Sequence, residues 1–311
     1  MRTTPANHVI GATIRERILR IAAALPAAPR IFAALTKLLS NANSPVESIA
    51  KLIKLDPALS ANVIRVSNSA YHRGEVPTGA IEEAVARVGY REVYRLLGFV
   101  AGVRLAEKGL PSYGLEAARL RDHMLRTAFL CEQLALESDM DARTAYTAGL
   151  MRLLGLFVCD RLPEPGGGSA VQPYDPASGE SYLQWEQRTL GVTNPAVAAL
   201  VLEEWRFPEE IVEAVREHLQ AGETGRNAGD LACLLHLAGA ILDHEGEALP
   251  GECGQWQISE RLLAQVGLTP EQVENAAANA RVQHADYLGR VQEEDTLVLA
   301  KPVASARSIS Q

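Results

Sequence analysis

Cysteine and aromatic residues are scarce in this sequence. Its 311 residues include four cysteines, and aromatic residues make up only 5%. No two cysteines have the C-x-x-C spacing of a metal or redox motif, and Cys131, Cys159 and Cys233 lie in apolar helical stretches, where cysteine is usually a small buried hydrophobe. The sequence therefore predicts reduced thiols and no disulfide framework, and we expect the protein to lie in the cytoplasm.

Long hydrophobic runs and an excess of positive charge are also missing. The apolar run over 153–159 is far shorter than the roughly 20 residues that span a bilayer. Near the start, charged residues such as Arg15 and Glu16 interrupt the apolar ones, unlike the core of a secretory signal. We expect no membrane segment. The net charge of -8 gives no general attraction to phosphate backbones, so nucleic acid is not an expected partner.

The generic catalytic motifs are absent from the sequence. There is no Gly-rich phosphate loop, no G-x-S-x-G nucleophile elbow and no H-E-x-x-H zinc helix. Strand-length alternation with turn residues and internal repeats at a fixed period are missing as well. Helical periodicity is the pattern that remains.

Signals for helix starts and stops recur along the chain. Ser44 to Glu47 combines an N-cap Ser, Pro at the first helical position and a capping-box Glu, and Asp56-Pro57 repeats the cap and the Pro. Gly89 follows the apolar periodicity of 81–88, where a C-terminal cap belongs. Longer apolar patterns predict helices over about 93–106, 115–137, 142–161 and 269–289. The sequence predicts an all-α protein of two packed helical subdomains.

Composition and periodicity also suggest boundaries. Residues 1–20 form an N-terminal extension, 21–112 an N-terminal helical subdomain, and 113–290 a second helical subdomain. The stretch 163–181, rich in Pro, Gly and Ser, is predicted to be a loop. Residues 291–311 are predicted to be a disordered tail.

Five local patterns occur in a fixed order: LPAAPRIFAALTKLL, DPALSANVIRVSNSAYH, AIEEAVARVGYREVYRLL, AGLMRLLG and RFPEEIVEAVREHL. Together they resemble the HDOD family over about Leu25 to Leu242. The most specific block contains the family-motif positions Asp56, Pro57, Asn68, Ser69 and Tyr71. By itself, the Asn68-Ser69 pair is a helix C-cap and Tyr71 a packing residue.

The resemblance implies a fold and a site. HDOD domains are similar to HD-type metal-dependent phosphohydrolases and usually serve as signalling output modules, so the second subdomain is expected to be HD-phosphohydrolase-like. In catalytic relatives a leading His, a His-Asp pair, later histidines and a final Asp bind the metals that activate water. This sequence matches the leading position with His123 and a later one with His218. It has Arg152 and Leu153 at the pair, Asn194 where a His is frequent, and Gly239 at the last Asp.

The residues at the matched positions have a structural interpretation and a ligand-binding one. His123 and His218 are most simply hydrogen-bonded, half-buried histidines on helices. If Arg152 points inward beside His123, Asn194 and His218, the four could bind an anion or nucleotide without hydrolysing it. The favoured expectation is an Arg152 that faces solvent or pairs with Asp160.

Three functions compete at this point. The first is a non-catalytic regulatory module that binds other signalling proteins or a nucleotide, with no cofactor and no metal. The alternative is a metal-dependent phosphohydrolase acting on a nucleotide or cyclic dinucleotide. This sequence lacks most of the metal ligands that such an enzyme needs. The third is a nucleic-acid-binding regulator, suggested only by the short helix pairs near Ile81 to Leu97, which could mimic a helix-turn-helix. The acidic net charge opposes it, although Arg87, Arg91 and Arg95 form a local basic patch.

The ligand positions give the first testable prediction. Because Arg152, Leu153 and Gly239 remove three expected metal ligands, the purified protein is expected to contain no stoichiometric transition metal. Elemental analysis of tag-free protein measures this. One equivalent of iron, manganese or zinc would contradict it.

Overall fold

A computed structural model of the protein describes residues 10–26, 28–39, 45–55, 57–69, 76–163, 172–222 and 228–299. These ranges contain helices and turns but no strand beyond an isolated antiparallel bridge between Leu110 and Leu115. The predicted all-α fold is thereby confirmed. Within the same ranges, none of the helices is long and apolar enough to cross a membrane.

The described residues of the first half form six α-helices. They are α1 (Ala12–Ala23), α2 (Ala28–Leu39), α3 (Val46–Ile53), α4 (Pro57–Ser67), α5 (Ile81–Val88) and α6 (Tyr90–Leu105). The apolar positions that predicted α5, from Ile81 to Val88, are buried. Gly89 follows with φ of 84°, a left-handed conformation that favours glycine, so α5 ends where the sequence indicated.

The described residues of the second half form nine α-helices, which include the two longest. They are α7 (Ala117–Glu137), α8 (Ala142–Met151), α9 (Leu154–Cys159), α10 (Tyr182–Leu190), α11 (Asn194–Glu204), α12 (Glu209–Glu217), α13 (Asp230–His244), α14 (Glu260–Val266) and α15 (Pro270–Leu299). Helix α7 is central: α8 packs along one side of it, and α15 and α13 also pack against it. Helix α6 contacts both α7 and α8 and joins the two halves into one hydrophobic core.

The two ends of the chain differ from the sequence-based expectation. Helix α1 covers residues 12–20 of the predicted extension and the three residues after it; its Ile18 and Ala22 are buried, and it packs against α9 and α11 of the second half. Helix α15 continues past Gly289 to Leu299. A single Gly inside a helix costs only about 1 kcal/mol, and the residues after it are mostly good helix formers. The predicted tail beyond Leu299 lies outside the described residues.

The interface between α7 and α8 depends on a glycine. A Cβ added at Gly149 of α8 would lie 2.8 Å from the backbone oxygen of Thr127 and 2.9 Å from the Cα of Ala128. Both atoms belong to the backbone of α7, which cannot move as a side chain can. Close approach of the two helices therefore requires glycine here.

Gly149→Ala is expected to lower the free energy of unfolding by about 1–3 kcal/mol, because the added methyl group forces α8 away from α7. Urea unfolding followed by circular dichroism measures this. Gly102→Ala in α6 is the matched control, since its Cβ would meet only side-chain atoms at 3.6 Å and beyond. That variant gains helix propensity and should be neutral or up to about 1 kcal/mol more stable. Equal destabilisation of both variants would contradict this account.

Candidate functional site

Arg152 is the largest fully buried side chain among the described residues, with 1% of its surface exposed. It lies at a break, because α8 ends at Met151 and α9 begins at Leu154, where the sequence predicted one continuous helix over 142–161. The favoured expectation for Arg152, a side chain in solvent or paired with Asp160, is wrong. The carboxylate of Asp160 instead accepts a hydrogen bond from the backbone N–H of Ser112 at 2.8 Å.

The break between α8 and α9 coincides with a close approach to α11. A Cβ added at Gly155 would lie 1.9 Å from the backbone oxygen of Asn194, so only glycine fits there. Leu153, at the second position of the missing His-Asp pair, is buried with 1% exposure. An apolar side chain thus occupies the place of a carboxylate.

Three groups surround the Arg152 guanidinium. Nη1 donates to both carboxylate oxygens of Glu252, at 2.8 and 2.9 Å, and this pair is almost fully buried. Nη2 lies 2.5 Å from Nε2 of His123. The guanidinium carbon lies 5.3 Å from the centre of a Trp256 ring, a cation–π contact. The positive charge of Arg152 is therefore compensated within the chain.

His123, on α7, holds the guanidinium as a neutral acceptor. Its Nδ1 lies 3.1 Å from the backbone oxygen of Glu247 and donates to it, which leaves the lone pair of Nε2 for Arg152. Burial, and then the charge of Arg152, lower the pKa of His123 to about 3. His123 is thus neutral at physiological pH and fully buried, where the sequence suggested a half-buried side chain.

His218 is brought to the same place at the end of α12. Its Nδ1 lies 2.8 Å from the backbone oxygen of Val215 and donates to it. Its ring centre lies 5.9 Å from that of Trp256. Burial, and then the charge of Arg152, hold the pKa of His218 well below its ordinary value, so this ring is neutral too.

Trp256 fills the space next to Gly239, the position of the last Asp in catalytic relatives. A Cβ at Gly239 would lie 2.5 Å from two carbon atoms of the Trp256 ring. A carboxylate at position 239 would therefore collide with the indole. The position of the Trp256 ring therefore requires glycine at position 239.

Residues 247–257 lie between α13 and α14 and form what we call the covering segment. It carries Glu252 and Trp256, and its backbone accepts from His123 at Glu247 and from the Tyr182 N–H at Gly251. At its far end, the N–H of Gln257 donates to Nε2 of His236 at 3.1 Å. One segment therefore supplies both groups that cover Arg152.

Asn194 belongs to a neighbouring cluster centred on Glu186 of α10, which has no exposed surface. The backbone N–H of Asn194 donates to Glu186 Oε2 at 2.6 Å, and its side-chain amide donates to both oxygens at 3.1 Å. The Tyr113 hydroxyl donates to Oε1 at 2.6 Å. Burial without a cationic partner outweighs these bonds and raises the pKa of Glu186 to about 7.

The sequence placed His123, Arg152 and His218 at one site, and the structure brings these three together. Asn194 is not part of this site, because it bonds to Glu186. Glu252, Trp256, His236 and Glu186 were not predicted as site residues from the sequence. The one usable signal was that a buried arginine requires a carboxylate, but nothing in the sequence selects Glu252 among 38 acidic residues.

The family-motif positions lie in the first half, away from Arg152. The side chain of Asn68 bonds to both backbone groups of Thr78, each at 2.8 Å, and so ties the end of α4 to the residues before α5. The Ser69 N–H donates to Val66 in the last turn, and Pro57 opens α4. Asp56 and Tyr71 lie outside the described residues.

The local basic patch is neutralised by acidic neighbours. Arg87 pairs with Glu83 at 2.6 Å, and Arg91 and Arg95 both pair with Glu132, at 3.1 and 2.7 Å. The patch therefore presents little free positive charge to a phosphate backbone.

A metal does not fit this site. A guanidinium cannot ligate a cation, and the charge of Arg152 repels one from the space beside His123 and His218. Within the described ranges, no group of three His, Cys, Asp or Glu side chains is arranged to hold a metal ion.

The HDOD domain family model matches residues 25–221 of the chain. A comparison with curated proteins finds no match. Several solved structures have the same fold, each with sequence identity below 25%.

A Shewanella amazonensis protein, named provisionally as a phosphohydrolase, matches with a TM-score of 0.56 and 21% identity, covering 86% of this chain and 94% of that one. An HDOD domain protein with unknown function from Geobacter sulfurreducens has a TM-score of 0.55 and 17% identity, over 92% and 98% of the two chains. A Marinobacter aquaeolei protein, named provisionally as a signal transduction protein, has a TM-score of 0.59 and 18% identity, over 91% of this chain and 66% of that one.

The buried Glu186 predicts a pH dependence of stability. Its pKa of about 7 in the folded protein lies above the ordinary value of 4.5, so the folded state binds this proton more tightly than the unfolded state does. The contribution is complete below pH 4.5 and is lost as pH rises through 7. It amounts to roughly 3 kcal/mol.

Glu186→Gln is the matched control, because an amide of the same shape does not titrate. Unfolding free energies of both proteins are measured in urea from pH 5 to pH 8.5. The wild type is expected to lose stability relative to the variant as pH rises, and the buried histidines cancel in the difference because both proteins contain them. A difference that does not change with pH would refute the assignment.

Proposed function

We propose that this chain, which belongs to the HDOD domain family, is a non-catalytic regulatory module that acts by binding partners. A regulatory role agrees with the family and with the signalling name of one structural relative. The finer statement, that binding has replaced hydrolysis, rests on the residues around Arg152.

The observation that carries the proposal is the buried pair of Arg152 and Glu252. In catalytic relatives the corresponding space holds a metal and its water, as the resemblance implies. Here a guanidinium brings a fixed positive charge, and a carboxylate of the same chain neutralises it at 2.8 Å. A metal-dependent hydrolase needs a cation that leaves a coordination position free for water, and the pair of Arg152 and Glu252 offers no such cation.

The other described side chains around Arg152 are not placed for hydrolysis without a metal. The acceptor nitrogen of His123 is occupied by Arg152. His218 and Trp256 are buried, so substrate cannot reach the imidazole without movement of the covering segment. We therefore infer that the helical scaffold serves to present surfaces to other signalling proteins, with nucleotide as a second ligand class.

A turnover assay tests the non-catalytic part of the proposal. The wild type is incubated with nucleoside monophosphates, cyclic dinucleotides and a chromogenic phosphodiester, each with Mg²⁺, Mn²⁺ or Fe²⁺. No turnover above that of buffer with metal is expected. His218→Ala and Gly102→Ala are the paired variants: the first removes a side chain of the site, and the second adds a methyl group that meets only Met124 and Leu150.

Metal-dependent turnover that falls about tenfold or more in His218→Ala, while Gly102→Ala keeps it, would establish the phosphohydrolase alternative and overturn the proposal. Turnover unchanged in His218→Ala would indicate a contaminating enzyme and would agree with it. Affinity capture from the source cells then identifies the partner protein.

A further inference from the structure

The site around Arg152 has more hydrogen-bonding capacity than the chain satisfies. Arg152 Nε, a donor, and His218 Nε2 both lack a hydrogen-bond partner in the described part of the chain, and both atoms are buried. An unsatisfied buried polar atom costs about 1–3 kcal/mol and calls for an explanation. Both side chains lie near Trp256: the guanidinium carbon of Arg152 is 5.3 Å from the centre of a Trp256 ring, and the ring centre of His218 is 5.9 Å from it.

Glu252 uses the guanidinium incompletely. Both of its oxygens accept from the single nitrogen Nη1. A guanidinium binds carboxylate or phosphate most strongly through two parallel bonds from two nitrogens, and here Nε remains unused. The carboxylate therefore occupies part of an anion site, and a group with more oxygen atoms would satisfy more of the donors.

The tautomer of His218 adds selectivity. Its Nδ1 donates to the Val215 oxygen, so Nε2 presents a lone pair to the site. A ligand that fits both orphan atoms accepts a hydrogen bond from Arg152 Nε and donates one to His218 Nε2. A phosphate group that keeps one proton does both, whereas sulfate has no proton to donate at neutral pH.

The cover over this site is a single segment without regular structure. Glu252 and Trp256 both belong to the covering segment, and the three residues from Cys253 to Gln255 between them are exposed. Movement of this segment alone removes the carboxylate and the indole together. His123, which belongs to α7, would still lie beside Arg152, while the Glu247 oxygen that accepts from its Nδ1 belongs to the first residue of the segment.

We propose that Arg152 and His218 form a binding site for a phosphate group, and that Glu252 is a tethered competitor that occupies the site when the covering segment is closed. This inference rests on the proposed function, since it names the ligand class that replaced hydrolysis. Because the competitor is attached to the chain, its effective concentration is high, and the apparent affinity of the wild type is reduced by the fraction of closed molecules.

The test compares wild type, Glu252→Ala and the double variant Arg152→Met with Glu252→Ala. Binding of inorganic phosphate is measured by calorimetry and by the shift of the melting temperature at constant ionic strength. Glu252→Ala is expected to bind one phosphate at least about tenfold more tightly than wild type. The double variant is expected to bind none, and sulfate is expected to bind Glu252→Ala more weakly than phosphate.

Two further arms identify the source of the phosphate and guard against misfolding. Tighter binding of adenosine monophosphate than of inorganic phosphate indicates a nucleotide, and equal binding indicates the free anion. If Glu252→Ala does not fold, Glu252→Gln removes the competing charge while it keeps the shape of the side chain, and it is expected to show the same gain over wild type.

Equal phosphate effects on Glu252→Ala and on the double variant would overturn the inference, because Arg152 would then play no part. A folded Glu252→Gln that binds phosphate no better than wild type would also overturn it. Neither result affects the proposed function, which is tested by turnover.

Discussion

The buried charge of Arg152 is the constraint on which the rest of the site depends. A guanidinium with 1% exposure must have a counter-charge and acceptors inside the protein. The free-energy cost of burying an unpaired ion would otherwise exceed the stability of the fold. Glu252 supplies the charge, neutral His123 an acceptor, and Trp256 a π surface. Arg152 therefore determines where the covering segment lies, because Glu252 and Trp256 both belong to that segment.

The same charge balance explains the neighbouring Glu186. The charge of Arg152 is already matched by Glu252, so the site has no cation left for a second carboxylate. Repulsion from Glu252 adds to the effect of burial on Glu186 and helps to raise its pKa. Tyr113 and Asn194 then serve as neutral donors, and the cluster links the connection before α7 to the start of α11.

Buried ion pairs are seldom the most stable solution, since well-packed apolar residues of equal volume are frequently as good or better. The pair of Arg152 and Glu252 is therefore better explained by what it specifies than by the stability it adds. It holds the covering segment over Arg152, with Trp256 against Gly239 and near His218.

The sequence by itself determined the all-α fold and the end of α5 at Gly89, and it places Arg152, Leu153 and Gly239 where the family resemblance leads one to expect metal ligands. These features are readable because helical periodicity and motif order are local along the chain. Only the tertiary structure decided that Arg152 points inward, that α8 stops before it, and that α1 and the end of α15 are helical. Arg152 and Glu252 are 100 residues apart in the chain, and no local pattern records a contact made only when α7, α8, α13 and the covering segment pack together.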